Sequence, residues 1–221
     1  MCRRLDFGYI NWRKRLVREF SVYVLINYTQ TDNEEEVLRF SRKVIEAKAE
    51  VVQLRVQGRE DREFLRIARK IKRLVEKKDV LFIINNRLDI ALAIDADGLH
   101  LGQTDLPVQV ARSILGKKII GKSTHSLEEA LEAQKEGADY ISAGPIFSSP
   151  TKPYLTPRGL GLLFEVRKKV SIPIVAIGGI NLNNLQEIVR TGVRRVAVCS
   201  AIRESKDPKK TIERFRDILR D

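Results

Sequence analysis

Residues Ile141 to Lys152 read I-S-A-G-P-I-F-S-S-P-T-K. The opening is strand-like, and Gly144 and Pro145 end it. The loop beyond places three hydroxyls (Ser148, Ser149, Thr151) and one ammonium (Lys152) within five residues, a set of donors suited to an anion. Ile174 to Ile180, I-V-A-I-G-G-I, repeats the pattern: an apolar strand opens onto Gly178 and Gly179, where bare backbone N–H groups can approach negative charge. Two strand ends of this type in one chain predict a phosphorylated small molecule held at the mouth of a barrel.

Working outward, the same alternation extends along the chain from residue 21. Strand-like runs fall at Val22–Ile26, Val51–Arg55, Val80–Ile84, Gly98–Leu101, Lys118–Lys122, Tyr140–Ala143, Ile174–Ile177 and Val196–Cys199. Between them lie segments with apolar residues three and four apart, such as Glu34–Ala47, Arg62–Lys77, Leu127–Glu136, Leu182–Arg190 and Pro208–Leu219. Eight β/α units with no Gly/Pro-rich linker predict a single-domain α/β fold, a (β/α)8 TIM barrel over residues 21–221, rather than an open doubly wound sheet. No G-x-G-x-x-G follows the first strand, which counts against dinucleotide binding. Residues 1–20 stand apart as a basic N-terminal helical extension, in which Trp12, Leu16, Val17 and Phe20 alternate with Arg and Lys.

The 221 residues suffice for one barrel with a full core but not for two ordinary domains. A net charge of +12, from 41 Lys and Arg against 29 Asp and Glu, favours anionic partners, although most of these charges sit at helical spacings mixed with acids, as on solvated faces. Two cysteines, Cys2 and Cys199, support neither a disulfide framework nor a zinc site. The apolar runs are strand-sized, far below the roughly 20 residues of a membrane span, so a cytoplasmic protein without a membrane partner is expected.

In a barrel the ligand site lies at the C-terminal ends of the strands, so the polar residues there are the candidates. Gln53 and Arg55 alternate with Leu54 and share one face of strand 2, directed into the barrel. A buried Arg needs an anion, supplied either by a substrate or by Asp97 or Asp105. Asn85 and Asn86 follow strand 3 and read equally as turn residues. His100 fits a satisfied core histidine. His125, in G-K-S-T-H-S with Ser123, lies at a strand end where an acid or base near neutral pH would be placed, and Ser126 with Glu129 forms a capping box for the next helix. No cluster of His and Cys has metal-ligand spacing; Asp105 alone could help hold a phosphate-bound Mg2+.

Six ordered segments carry a resemblance: Q-L-R at 53–55, I-I-N-N-R-L-D-I-A-L at 83–92, D-G-L-H-L-G-Q-T-D at 97–105, G-K-S-T-H-S-L-E-E-A at 121–130, A-D-Y-I-S-A-G-P-I-F-S-S-P-T-K at 138–152 and I-P-I-V-A-I-G-G-I at 172–180. Together they resemble the thiamine-phosphate synthase family and its TenI branch of thiazole tautomerases, over roughly residues 21–221. The synthase joins a pyrimidine pyrophosphate to a thiazole phosphate with Mg2+ and releases pyrophosphate. The resemblance implies that Ser149, Thr151, Lys152, Gly179 and Ser200 surround the thiazole phosphate, with the neighbouring Gly178 counted among the phosphate-binding residues, and that Gln53, Arg55, Asn85, Asp105 and Ser123 face the pyrimidine and pyrophosphate, with Asn86 counted on that side and Asp105 on the metal if the chain is synthase-like.

Two departures weigh against coupling. Gln57 stands where the synthase pattern has Lys, and Asn86 stands where it has Asp, each costing on the order of a hundredfold in rate if a phosphate cation or a metal carboxylate is lost. The thiazole-phosphate half is intact. T-P-R-G-L-G-L-L at 156–163 also resembles TenI, whereas Asp105 in G-Q-T-D resembles the synthase. The favoured expectation is therefore tautomerisation of a thiazole carboxylate phosphate without cofactor, with His125 moving the proton, Arg55 orienting the substrate and Ser123 beside them. Mg2+-dependent coupling is the alternative, and a ligand-sensing, nucleic-acid-binding regulator without catalysis is the remote third. Whether the chain acts as a homodimer is left open.

Overall fold

The computed structural model describes residue 17, residues 19–149 and residues 156–220. Eight parallel strands close on themselves in sequence order: β1 (Val22–Tyr28), β2 (Val51–Val56), β3 (Leu81–Asn85), β4 (Gly98–Leu101), β5 (Ile119–Thr124), β6 (Tyr140–Ala143), β7 (Ile174–Ile177) and β8 (Val196–Val198), with β8 pairing to β1. Nine helices lie among the described residues: α1 (Glu34–Glu46), α2 (Asp61–Val75), α3 (Leu88–Ala93), α4 (Val108–Leu115), α5 (Leu127–Lys135), α6 (Gly159–Lys169), α7 (Leu185–Arg190), α8 (Ser200–Arg203) and α9 (Pro208–Arg220). The (β/α)8 barrel expected from the alternation is the fold. None of the described helices is long and apolar enough to cross a membrane.

The two-residue period of each strand divides its side chains between two cores. Outward-facing residues such as Val24, Ile26, Val52, Leu54, Phe82 and Ile84 pack against the helix ring. Inward-facing Tyr23, Val51, Leu81, Ile83, Ile119, Tyr140, Val175 and Ala197 fill the barrel's lower interior, and Val17 and Phe20 close it from below. Most of the proposed extension, residues 1–16 and 18, lies outside the described residues. Above that plug the inward positions turn polar, with Gln53, Ser123 and Ser142 following on the same strands and His100 entering from β4.

Strand bounds match the expected ones to within two residues, and β1 extends to Tyr28 because Asn27 and Tyr28 pair with Arg55 and Val56 of β2. Helix α7 begins three residues later than expected. The Asn184 side chain accepts from the backbone N–H of Asn181 (2.9 Å) and the Asn181 side chain from that of Asn183 (2.9 Å), so side-chain bonds compete with the first helical turn. Nδ2 of Asn184 also donates to the carbonyl of Gly179 (2.9 Å), which anchors the glycine pair. The capping box at α5 closes differently from the expected form: Ser126 Oγ accepts from the N–H of Glu129 (3.2 Å), but the Glu129 carboxylate takes the N–H of His125 (2.6 Å) and fixes that residue's backbone.

Candidate active site

A cavity opens at the C-terminal ends of the strands, and the sequence candidates converge on it from six of them. Gln53 and Arg55 enter from β2, Asn85 from β3, Ser123 and His125 from β5, and Ser149 from the loop after β6; Gly178 and Gly179 follow β7, and Ser200 opens α8 after β8. Thr151 and Lys152 lie outside the described residues.

The corner expected to take an anion is built mainly from backbone. Gly179 has φ +65°, and a Cβ there would sit 2.1 Å from the carbonyl oxygen of Ser148 and 2.9 Å from Cβ of Phe147. Only a residue without a side chain lets the β6 loop lie directly on the β7 loop. The N–H of Phe147 donates to the carbonyl of Gly178 (3.0 Å), tying the two loops together. Ser149, Gly178, Gly179 and Ser200 therefore line one wall, as the two strand-end motifs predict.

The opposite wall is built from side chains on strands. Nε2 of Gln53 donates to Tyr23 Oη (2.6 Å), Tyr23 Oη lies 2.9 Å from Tyr140 Oη, and Tyr140 Oη lies 2.9 Å from Nδ1 of His100. Nε2 of His100 is 2.9 Å from Ser123 Oγ and 3.4 Å from Ser142 Oγ. Burial pushes both phenols well above the usual tyrosine value, so each keeps its proton at neutral pH. His100 is thus the satisfied core histidine expected, yet it also faces the cavity. Tyr23 and Tyr140 were missed in the sequence, where each looks like an ordinary aromatic among apolar strand neighbours.

Nδ1 of His125 bonds the carbonyl of Gly144, which can only accept, so this nitrogen carries the proton and Nε2 is the basic one. Nδ2 of Asn27 donates to Cys199 Sγ (3.2 Å). Burial pushes that thiol up to about 11 against the opposing pull of Arg203 and Arg55, so it stays a neutral wall residue.

Asn86 and Asp105 stand together just outside the cavity lining. Nδ2 of Asn86 donates to one oxygen of Asp105 (2.5 Å), and the other oxygen accepts from the N–H of Gly102 (2.6 Å). Gln57 is exposed beyond them. Among the described residues no group of three or more His, Cys, Asp or Glu could hold a metal. One carboxylate beside an amide instead fits a cation that arrives with its own phosphate and water ligands.

The family described as thiamine monophosphate synthase matches residues 22–202 of this chain. A thiamine-phosphate synthase of Pyrococcus furiosus is 43% identical over 178 residues, covering 80% of this chain and 86% of its own, and one of Syntrophomonas wolfei is 44% identical over 202 residues, covering 90% and 96%. Among solved structures, thiamine phosphate pyrophosphorylase from Pyrococcus furiosus superposes with a TM-score of 0.79 at 39% identity over 94% of this chain and 97% of that one. A 3-hexulose-6-phosphate synthase at 16% identity and a TM-score of 0.65 shares the fold. These names favour the coupling enzyme over the tautomerase that Gln57 and Asn86 had suggested. With its glycine-lined corner, its strand-borne polar wall and this similarity along most of its length, the chain belongs to the thiamine monophosphate synthase family of thiamin-biosynthetic enzymes.

Proposed function

We propose that the chain couples a pyrimidine pyrophosphate to a thiazole phosphate, forming thiamin phosphate and releasing pyrophosphate. One observation carries the reading: a single cavity has two unlike walls, one of glycine backbone and hydroxyls, the other of amides, an arginine and a histidine. A tautomerase needs to hold one substrate, whereas a coupling enzyme needs two ends that recognise different groups.

In this reading Ser149, Ser200 and the N–H groups of Gly178 and Gly179 hold the thiazole phosphate, with Thr151 and Lys152 assigned there by the family pattern. Gln53 and Ser123 hold the pyrimidine, and Arg55 and Asn85 turn its pyrophosphate toward the mouth. The thiazole ring nitrogen then attacks the methylene carbon, a C–N bond forms as the C–O bond to pyrophosphate breaks, and no proton moves at the reacting atoms. Positioning and charge neutralisation supply most of the acceleration. Asp105 and the amide oxygen of Asn86 would hold Mg2+, which when bound neutralises the leaving pyrophosphate.

His125 supports a second reading. Its Nε2, left as the exchanging nitrogen by the Gly144 bond at Nδ1, suits proton transfer in thiazole tautomerisation. The two are separated by incubating the chain with pyrimidine pyrophosphate, thiazole phosphate and Mg2+ and analysing products by mass spectrometry. Mg2+-dependent thiamin phosphate with equimolar pyrophosphate is the expected result; aromatisation of a thiazole carboxylate phosphate with no coupled product would sink the proposal.

A further inference from the structure

The chain of hydrogen bonds on the polar wall has a direction, and the direction follows from counting protons. Its ends, Gln53 and Ser123, both line the cavity, while Tyr23, Tyr140 and His100 connect them through the barrel interior. Each phenol has one proton to give. With Nε2 of Gln53 donating to Tyr23, the arrangement that gives every proton of the chain an acceptor sends the Tyr23 proton to Tyr140 and the Tyr140 proton to Nδ1 of His100. His100 must then carry its own proton on Nε2 and donate to Ser123 Oγ. What is left over faces the cavity: the O–H of Ser123 as a donor and the amide oxygen of Gln53 as an acceptor. Neither has another side-chain partner among the described residues.

Reversing either end requires reversing every bond between them. The glycine at 121 makes the arrangement sterically possible, since a Cβ there would lie 2.1 Å from Cζ of Tyr140. Tyr140 also lies against the His100 ring, with centroids 5.5 Å apart, so the imidazole cannot turn without moving the phenol.

We propose that Tyr23, Tyr140 and His100 form a polarity lock, which commits Gln53 to accept and Ser123 to donate, so that the cavity selects a heteroaromatic ring presenting an N–H donor beside a ring-nitrogen acceptor. This deepens the coupling reading above, whose pyrimidine is the ring in question. Tyr23, Tyr140 and His100 are positioning residues in this scheme. A ring with the opposite pattern, such as one with an oxo group for the amine and N–H for the ring nitrogen, meets acceptor against acceptor and donor against donor.

The first test needs no substrate. The chain has two histidines, so 15N-histidine labelling of the full chain gives two ring systems, assigned with the His125→Gln variant. At neutral pH His100 should be the Nε2–H tautomer with bare Nδ1; an Nδ1–H tautomer would overturn the lock. The second test measures calorimetric affinities of an aminopyrimidine pyrophosphate and its oxo analogue. Wild type should prefer the amino ring, and Tyr23→Phe and Tyr140→Phe should each reduce that preference on the order of tenfold, as one neutral hydrogen bond allows. Equal weakening of both ligands, with the preference kept, would mark the tyrosines as packing only and overturn the proposal. If wild type binds neither pyrimidine, the coupling reading fails, and the lock then stands or falls on the His100 tautomer.

Discussion

The two walls of the cavity solve recognition in opposite ways. The wall over β6 to β8 presents backbone N–H groups and short hydroxyls on loops packed so closely that a single methyl would not fit, and in the proposed reading these hold the phosphate. The wall over β2 to β5 uses side chains on strand positions, and its Gln53 and Ser123 are tied to each other through side chains behind them. The first is therefore sensitive to atoms added, the second to atoms removed. An anion needs several converging donors and no particular pattern, which backbone supplies; a ring edge needs a specific order of donor and acceptor, which only fixed side chains supply.

Gly179→Ala tests the first wall and should have the largest effect. The new Cβ meets a backbone oxygen at 2.1 Å in a residue with φ +65°, so the two loops must part. Thiazole-phosphate affinity should fall by on the order of a hundredfold or more, with a stability loss of about 2–4 kcal/mol. Undiminished affinity by calorimetry would break the contrast between the walls. Gly121→Ala sharpens it from the other side. Its clash is with the Tyr140 side chain, which can shift, so the loss of stability should be about 1–3 kcal/mol. Pyrimidine affinity should drop about tenfold while thiazole-phosphate affinity is retained; parallel loss of both would show that the walls are not independent.

The smallest effect concerns Asp32, which ties the loop after β1 to α8, the helix that Ser200 opens. Its carboxylate accepts from the N–H and the hydroxyl of Thr29 (2.7 Å each) and pairs with Arg203. Burial raises its pKa, but the Thr29 and Arg203 bonds outweigh that and hold it below the ordinary aspartate value. A lowered folded value means that its contribution is complete above the unfolded pKa and disappears as pH falls through the folded one. Asp32→Asn should cost about 1 kcal/mol at neutral pH, and the gap to wild type should close at strongly acidic pH in urea titrations. A gap that persists there would remove charge from the explanation.

What the sequence determined by itself is the barrel and the two polar, glycine-bearing strand ends that meet at its mouth. Strand periodicity, helical spacing and turn-forming glycines are local, so eight β/α units, and the two strand ends bearing Ser149, Gly178 and Gly179, were legible from neighbours within a few residues. Helices α3, α4, α6 and α8 received no bounds from the sequence, being short or, in α6, interrupted by glycines that blur the helical pattern. The polar wall was decided by the tertiary structure alone. Tyr23 and Tyr140 are 117 residues apart and sit on strands that are not neighbours in the sheet, and their contact exists because barrel closure turns both inward at the same level. No local pattern distinguishes a tyrosine that packs from one that passes a hydrogen bond across a barrel, because that difference lies in what stands opposite.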